Sequence, residues 1–146
     1  MSKLLSVVST NQDELMRFIK FAIVGAFGTV VDFSVLNLLV LAFGIPIGYA
    51  NLVSVTCAII SNFIWNRLWT FPESRERPLH TQFGQFASVN VVGLGINEIV
   101  FLGTDALWFG TMFVHPLDYN VAKAAAIIVV LFWNFFANRN WTYRGI

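Results

Sequence analysis

Long stretches of the chain contain no charged residue. Asp, Glu, Lys and Arg are all absent from residues 33–66, 78–97 and 124–138. A helix that crosses the hydrocarbon core of a bilayer needs about 20 mostly apolar residues. The pattern therefore predicts an all-α protein with four membrane-spanning helices. The predicted spans cover about residues 18–43, 49–69, 83–102 and 121–141.

The composition excludes an ordinary soluble domain. Of the 146 residues, 57% are hydrophobic and 12% are charged, whereas soluble domains contain about 25% charged residues. So few charges cannot cover the large surface of a small soluble domain. The first 17 residues are mixed and polar, so we expect the first span to act as an uncleaved insertion signal. We expect one integral membrane domain over residues 1–146.

The basic residues indicate the orientation. Eight of the nine lysines and arginines precede span one, connect spans two and three, or end span four, and only Lys123 lies on the other side. Positively charged residues stay cytoplasmic, so both the N and C termini are expected inside. Gly44 to Gly48 contains Pro46 and is predicted to be the turn between the first two spans. The connection from Thr104 to Asn120 carries Trp and Phe residues and is expected to lie along the membrane interface.

Two decapeptides share the pattern Asn-Phe-x-x-Asn-Arg-x-Trp-Thr-aromatic. They are residues 62–71 and 134–143, which end spans two and four at a spacing of 72 residues. Spans one and three align more weakly, at a spacing of 65 residues. The pairs in that alignment are Phe18 with Phe83, Phe21 with Phe86, Val24 with Val89, Gly28 with Gly93 and Asp32 with Asn97. Each half is therefore predicted to be a helical hairpin, and two such hairpins form a parallel repeat, as in some transporters.

The repeated Asn-Arg pairs are the first candidate site. They are Asn66 with Arg67, and Asn138 with Arg139. One interpretation is an anchor, because Arg and Trp hold helix ends at the cytoplasmic edge of a membrane. The other is binding of an anionic lipid head group, because a guanidinium forms paired hydrogen bonds to phosphate oxygens. The sequence leaves both interpretations open.

Polar residues inside the spans form the second candidate site, a polar seam. Its members are Asp32, Asn62, Asn97, Glu98, Lys123 and Asn134. Asp32 lies about 18 Å along the helix from Lys20 at the standard helical rise, which is past the middle of the hydrocarbon. Charged groups at such depth are usually paired or line a path, which indicates an Asp32–Lys123 or Glu98–Lys123 pair. Such a pair either fixes helix register or serves substrate passage or proton coupling.

Glycine stripes run beside this seam. Gly25, Gly28 and Asp32 share one face of span one, and Asn90, Gly93 and Asn97 share one face of span three. Small residues let helices approach closely. We therefore interpret the stripes first as packing surfaces, each closed by a polar residue.

The sequence predicts no metal, cofactor or nucleic-acid site. Cys57 is the only cysteine, so neither an intramolecular disulfide nor a cysteine-rich metal site is possible. The two histidines, His80 and His115, lack companion ligands at metal-binding spacing. The net charge of +1 gives no bulk attraction to nucleic acid. No phosphate-cradling glycine loop occurs outside the spans, so a glycosyltransferase site, and enzyme activity, are not expected.

Several segments resemble the GtrA-like family of small four-helix membrane proteins. They are Arg17-Phe18-x-Lys20-Phe21-x-x-Val24-Gly25, Gly28-Thr29-x-x-Asp32-Phe33, and the two decapeptides. The resemblance covers about residues 14–143. It implies a role in making or decorating cell-surface polysaccharides, by moving a polyprenyl-phosphate-linked sugar such as undecaprenyl-phosphate glucose to the outer leaflet. Some related domains are fused to polyprenyl-phosphate glycosyltransferases.

We therefore expect a translocator of a lipid-linked sugar in a bacterial cytoplasmic membrane. A homo-oligomer is expected, because four short helices enclose little volume. Arg67 and Arg139 would capture the phosphate, and the polar seam would replace the water that the head group loses. One alternative is a non-transporting partner that recruits or stabilises a membrane glycosyltransferase. Another is a proton-coupled exporter of small cations that uses Asp32.

Overall fold

The computed structural model describes residues 2–104 and 117–145, with side chains over residues 12–100 and 124–145. The described residues form four α-helices and contain no β-strand. The helices are α1 (Ser2–Asn37), α2 (Ile47–Trp65), α3 (Leu79–Thr104) and α4 (Leu117–Ala137). The prediction of an all-α protein is confirmed.

Short helical segments of other types follow three of these helices. π-Helical turns lie at Leu38–Ala42, Asn66–Thr70 and Asn138–Thr142, and a 3₁₀ segment lies at Pro72–Glu76. The predicted turn between α1 and α2 is present. Gly44 has a φ of 65°, which glycine adopts without steric penalty. Pro46 has a φ of −53° and directly precedes the first residue of α2. The proline ring fixes φ near the helical value, which favours the start of a helix at this point.

The first helix begins earlier than the predicted first span. α1 begins at Ser2, whereas the span was expected from about residue 18. The chain has no glycine before Gly25 and no proline before Pro46, so no residue interrupts the helix. Hydropathy marks where a helix enters hydrocarbon, whereas helical hydrogen bonding continues into water. The polar N-terminal residues therefore extend α1 beyond its apolar part.

Two helical segments are long and apolar enough to cross a membrane. They are Gln12–Ala42 and Ile47–Thr70, and only 11% and 17% of their most apolar windows are buried. A soluble protein would bury such helices in its core, so their exposure indicates contact with lipid. α3 and α4 do not satisfy this test over the described residues. Four spans and cytoplasmic termini therefore stay predictions.

The chain forms two compact units. The first ends at Leu79, and the second comprises His80–Gly145. The first unit contains α1 and α2, called here the first helix pair. The second unit contains α3 and α4, called here the second helix pair. The prediction of a single domain stays a prediction, and the interfacial segment expected between Thr104 and Asn120 lies largely outside the described residues.

Equivalent positions of the repeat are buried in both helix pairs. The buried side chains are Phe21, Val24, Phe63 and Phe71 in the first, and Phe86, Val89, Phe135 and Tyr143 in the second. These positions are the ones that the spacings of 65 and 72 residues align. The shared burial supports the internal repeat, including its weaker half, which rests on spans one and three.

Candidate functional site

In each helix pair, a glycine of the first helix contacts an asparagine of the second. A Cβ added at Gly28 would lie 2.6 Å from Cγ of Asn62, and one added at Gly93 would lie 2.6 Å from Oδ1 of Asn134. Both distances are well below van der Waals contact, so a larger residue at either position requires the asparagine side chain or the helices to move. The Oδ1 atoms of Asn62 and Asn134 are buried without a hydrogen-bond partner. Two members of the predicted polar seam thus occupy equivalent places in the two pairs.

The repeated Asn-Arg-x-Trp-Thr motif forms a π-helical turn in both pairs. The backbone N–H of Phe71 donates to the carbonyl of Asn66 at 2.7 Å, and the N–H of Tyr143 donates to the carbonyl of Asn138 at 2.8 Å. These bonds join residues five apart, which defines the π-helix. The side chains of Phe71 and Tyr143 are fully buried. The motif therefore ends each second helix with an aromatic residue in the core.

The two candidate arginines satisfy backbone carbonyls at these helix ends. Nη2 of Arg67 donates to the carbonyls of Arg75 at 2.8 Å and Arg77 at 2.9 Å. Nη2 of Arg75 in turn donates to the carbonyl of Leu68 at 2.6 Å. In the second pair, Nη1 of Arg139 donates to the carbonyl of Tyr143 at 3.3 Å. Helix ends leave carbonyls without partners, so both arginines have a structural role beyond charge.

Replacing Arg67 by glutamine is expected to destabilise the chain more than replacing Arg139. The loss at Arg67 removes charge-assisted hydrogen bonds to two carbonyls, each worth about 1.5–3 kcal/mol, whereas the bond from Arg139 to the carbonyl of Tyr143 is long, at 3.3 Å. Thermal unfolding of both variants in the same detergent, followed by circular dichroism, measures the difference. An equal or larger loss of stability in Arg139→Gln would contradict this structural role of Arg67.

The two candidate asparagines lie inside the π-helical turns. Asn66 and Asn138 are 1% and 0% exposed. Nδ2 of Asn138 donates to the carbonyl of Asn134 at 2.8 Å, and the Oγ1 of Thr142 donates to Oδ1 of Asn138, also at 2.8 Å. In the first pair, Oδ1 of Asn66 and Oγ1 of Thr70 are buried without partners. The turns thus have the same backbone but different side-chain hydrogen bonding.

The remaining seam residues differ in their environments. Asp32 and Asn97 are partly buried, and Glu98 is exposed. Oδ1 of Asp32 is buried without a hydrogen-bond partner. The Lys123 side chain lies outside the described residues, and so do the predicted Asp32–Lys123 and Glu98–Lys123 pairs. No group of three or more His, Cys, Asp or Glu side chains that could hold a metal ion occurs in the described part of the chain.

Each helix pair also contains an apolar cleft that the sequence did not reveal. The cleft of the first pair has a volume of about 410 Å³, and the cleft of the second has a volume of about 680 Å³. The first is lined by Val24, Phe27, Trp65, Leu68 and Trp69. The second is lined by the equivalent Val89, Val92, Ala137, Asn140 and Trp141, and by Phe132, Trp133 and Phe136. The clefts therefore belong to the repeat.

A smaller polar cleft lies where α1 passes the end of α2. Its volume is about 280 Å³, and it is lined by Asp13, Met16, Arg17, Lys20, Thr70, Pro72 and Glu73. Nη2 of Arg17 pairs with Oε1 of Glu73 at 3.2 Å. Our sequence interpretation missed this cleft, because it used Arg17 and Lys20 as orientation signals and as part of the family motif, and not as members of a site. The alignment of spans one and three contained a signal, since it places glutamines at both equivalent positions.

Two curated proteins are similar to nearly the whole chain. The dolichol-phosphate mannosyltransferase of Pyrococcus furiosus is 29% identical over 132 residues, which are 90% of this chain and 35% of that protein. The uncharacterized membrane protein YngA of Bacillus subtilis is 27% identical over 134 residues, which are 92% of this chain and 84% of that protein. The chain thus spans about a third of the Pyrococcus enzyme and most of the Bacillus protein.

A family model describes the same region. Residues 20–143 match the GtrA/DPMS transmembrane domain. The match includes most of both helix pairs, both glycine–asparagine contacts and both π-helical turns. It agrees with the resemblance that the sequence motifs indicated. The chain therefore belongs to the GtrA/DPMS transmembrane-domain family and is a membrane protein.

Proposed function

We propose that the protein moves a polyprenyl-phosphate-linked sugar from the cytoplasmic to the outer leaflet of a bacterial membrane. The observation that carries the proposal is the pair of buried amide oxygens, Oδ1 of Asn62 and Oδ1 of Asn134, which have no hydrogen-bond partner among the described residues. Lipid offers such groups no hydrogen bond. They are therefore available to a polar ligand that enters between the helices.

The physical problem of translocation matches this arrangement. A sugar phosphate that crosses hydrocarbon without help must lose its water, and each uncompensated polar group then costs several kcal/mol. Amide and carboxylate oxygens at Asn62, Asn134 and Asp32 would accept hydrogen bonds from sugar hydroxyls. Asn97, Glu98 and Lys123 would extend the same seam. The apolar cleft of each helix pair would accommodate isoprenoid units of the tail.

The comparisons support the class of ligand. One relative is named a dolichol-phosphate mannosyltransferase, and the dolichol phosphate in that name is a polyprenyl phosphate. The part of that enzyme to which this chain is similar is about a third of its length. We assign the lipid carrier, and not the glycosyl transfer, to this chain. Arg67 and Arg139 would add positive potential at the rim where the phosphate enters.

Transbilayer movement of undecaprenyl-phosphate glucose in liposomes tests the proposal. Vesicles with the purified chain should move the lipid faster than protein-free vesicles, in proportion to the protein present. Vesicles that contain an unrelated helical membrane protein at equal density control for non-specific perturbation of the bilayer. Correctly folded protein that gives no acceleration would refute translocation.

A second function is a non-transporting partner for a membrane glycosyltransferase. The similarity to one part of a larger mannosyltransferase favours it, because that enzyme carries such a region in the same chain. Co-purification with a polyprenyl-phosphate glycosyltransferase, together with no acceleration in the liposome assay, would select this alternative. Homo-oligomers are proposed in either case, because four short helices enclose little volume.

A further inference from the structure

The polar cleft of the first helix pair contains cationic groups with unused hydrogen-bonding capacity. The guanidinium of Arg17 is 5.6 Å from the centre of the Phe71 ring, and its Nη1 atom is buried without a hydrogen-bond partner. Lys20 Nζ is 5.6 Å from the centre of the Trp69 ring. The Oγ1 atom of Thr70 is also buried without a partner, and Thr70 is 2% exposed. These groups line one cleft of about 280 Å³.

The second helix pair shows that the fold itself does not require these charges. The spacing of 65 residues places Gln82 and Gln85 at the positions of Arg17 and Lys20. Nε2 of Gln82 donates to the carbonyl of Thr142 at 3.5 Å, and Gln82 is 2% exposed. In the second pair, a neutral amide therefore packs against the equivalent π-helical turn, Asn138–Thr142. The cations of the first pair are an addition to a scaffold that forms without them.

The threonine hydroxyl groups of the two π-helical turns also differ in their hydrogen bonding. In the second pair, Oγ1 of Thr142 donates to Oδ1 of Asn138 at 2.8 Å. In the first pair, the equivalent Oγ1 of Thr70 and Oδ1 of Asn66 are both without partners. The second turn is satisfied internally, whereas the first leaves a donor beside the cations. Three separate differences thus point to an anionic ligand in the first pair only.

The acidic residues of the cleft do not prevent such a ligand from binding. Glu73 pairs with Arg17, but its side chain is 54% exposed, and exposed ion pairs contribute about 0–1 kcal/mol. A phosphate ester offers more acceptor oxygens than a carboxylate and suits the planar guanidinium. Asp13 also lines the cleft and is exposed to solvent. The carboxylate of Glu73 is therefore a competing anion that a phosphate can displace.

We propose that this cleft binds the phosphate of the lipid carrier, with Arg17, Lys20 and Thr70 as the donors and Glu73 as the group that is displaced. The inference rests on the proposed function, which it deepens by assigning phosphate capture to the first helix pair alone. Arg67 and Arg139 then act through the backbone carbonyls to which they donate. The two halves of the repeat therefore have different tasks.

Binding of farnesyl phosphate to the full chain in nanodiscs, measured by calorimetry, tests the site. Arg17→Gln introduces the residue of the second pair and is expected to weaken binding about tenfold or more, because it removes charge-assisted hydrogen bonds. Glu73→Gln is expected to tighten binding several-fold, and misfolding cannot produce such a gain. Glu76→Gln removes the same charge from the same exposed segment, outside the cleft, and is expected to leave the affinity unchanged.

The ligand controls separate the sources of phosphate. The affinity for farnesol, which lacks the phosphate, should be the same in all of these variants as in the wild-type chain. Inorganic phosphate should bind much more weakly than farnesyl phosphate, and equal affinity would overturn the assignment to a lipid. Unchanged farnesyl phosphate affinity in the Arg17→Gln, Lys20→Gln double variant would overturn the site itself.

The liposome assay distinguishes failure of this site from failure of translocation. If binding depends on Arg17 but the protein does not accelerate lipid movement, the proposed site is supported and translocation is refuted. If the Arg17→Gln, Lys20→Gln double variant binds farnesyl phosphate and moves lipid as the wild-type chain does, translocation is supported and the proposed site is refuted. Loss of both binding and movement in Arg17→Gln, with both retained in Glu76→Gln, is the expected result.

Discussion

Alanine at Gly28 is expected to destabilise the first helix pair by about 1–3 kcal/mol, the usual effect of inserting a methyl group into a packed interior. The added carbon would lie 2.6 Å from Cγ of Asn62, so either the amide must rotate or the helices must separate. Asp32, which is partly buried, lies one turn farther along α1 than Gly28. Thermal unfolding in a single detergent, followed by circular dichroism, measures the loss.

The chain provides a matched control and a rescue for this prediction. Gly25 lies on the same helix, and nothing lies within 4 Å of a carbon added there, so Gly25→Ala should cost little or stabilise the helix slightly. Shortening the opposing side chain with Asn62→Ala should make Gly28→Ala better tolerated than in the wild-type background. Equal losses from the two glycine substitutions, without rescue, would contradict the close contact.

The same substitution in the second helix pair tests the repeat. Gly93→Ala meets Oδ1 of Asn134 at 2.6 Å, whereas a carbon at Gly95 meets nothing within 4 Å. Gly93→Ala should therefore be destabilising and Gly95→Ala tolerated. A parallel result in both pairs would establish that the two contacts have the same structural role.

Asparagine at Asp32 is expected to slow movement of the lipid-linked sugar about tenfold to a hundredfold. The reason is the loss of a charged acceptor, whose hydrogen bonds are worth about 1.5–3 kcal/mol each. Oδ1 of Asp32 is buried and has no hydrogen-bond partner among the described residues, so we expect it to accept a hydrogen bond from a sugar hydroxyl. Asparagine has the same shape, so insertion and packing should change little. The liposome assay with undecaprenyl-phosphate glucose measures the rate.

Glu98→Gln is the control for this prediction. Glu98 is another carboxylate of the predicted seam, but its side chain is exposed, so its neutralisation should affect the rate less. Both variants must show wild-type amounts of folded protein before the rates are compared. A normal rate in Asp32→Asn would assign Asp32 a structural role only. A failure of Asp32→Asn to accumulate would also indicate structure, and would direct attention to the register-fixing pair.

Much of the fold could be predicted because membrane helices have strong sequence signals. The apolar runs gave the helical class, and the Gly44–Pro46 turn appeared where those two residues predict one. The weaker alignment of spans one and three, which paired Gly28 with Gly93, now has contacts at both positions. That alignment could be made because the same close approach constrains both halves.

The local structure of the Asn-Arg-x-Trp-Thr motif could not be predicted. Interface Trp and Arg residues are typical of membrane helix ends, so the pattern did not indicate a π-helical turn. The full burial of Asn138 and its bond to Thr142 depend on that turn. The carbonyls that Arg67 contacts belong to residues eight and ten positions later. No propensity rule connects an arginine to carbonyls at such distances, because the intervening backbone path decides which of them come near.

The clefts escaped prediction for a related reason. A concave surface depends on which side chains are missing between two helices as much as on which are present. For example, Leu68 in the first apolar cleft and Asn140 in the second are aligned in the repeat, yet differ in polarity. Periodicity reports the buried face of each helix, and not the gap between two of them.

The tryptophans that line the apolar clefts give the protein intrinsic optical reporters. Trp65 and Trp69 lie at the first cleft, and Trp133 and Trp141 lie at the second. Because the indole emission depends on its immediate surroundings, replacing one set by phenylalanine leaves a signal that comes largely from the other half of the repeat. A lipid tail carrying a heavy-atom quencher would then reveal which half it enters first, without an attached dye.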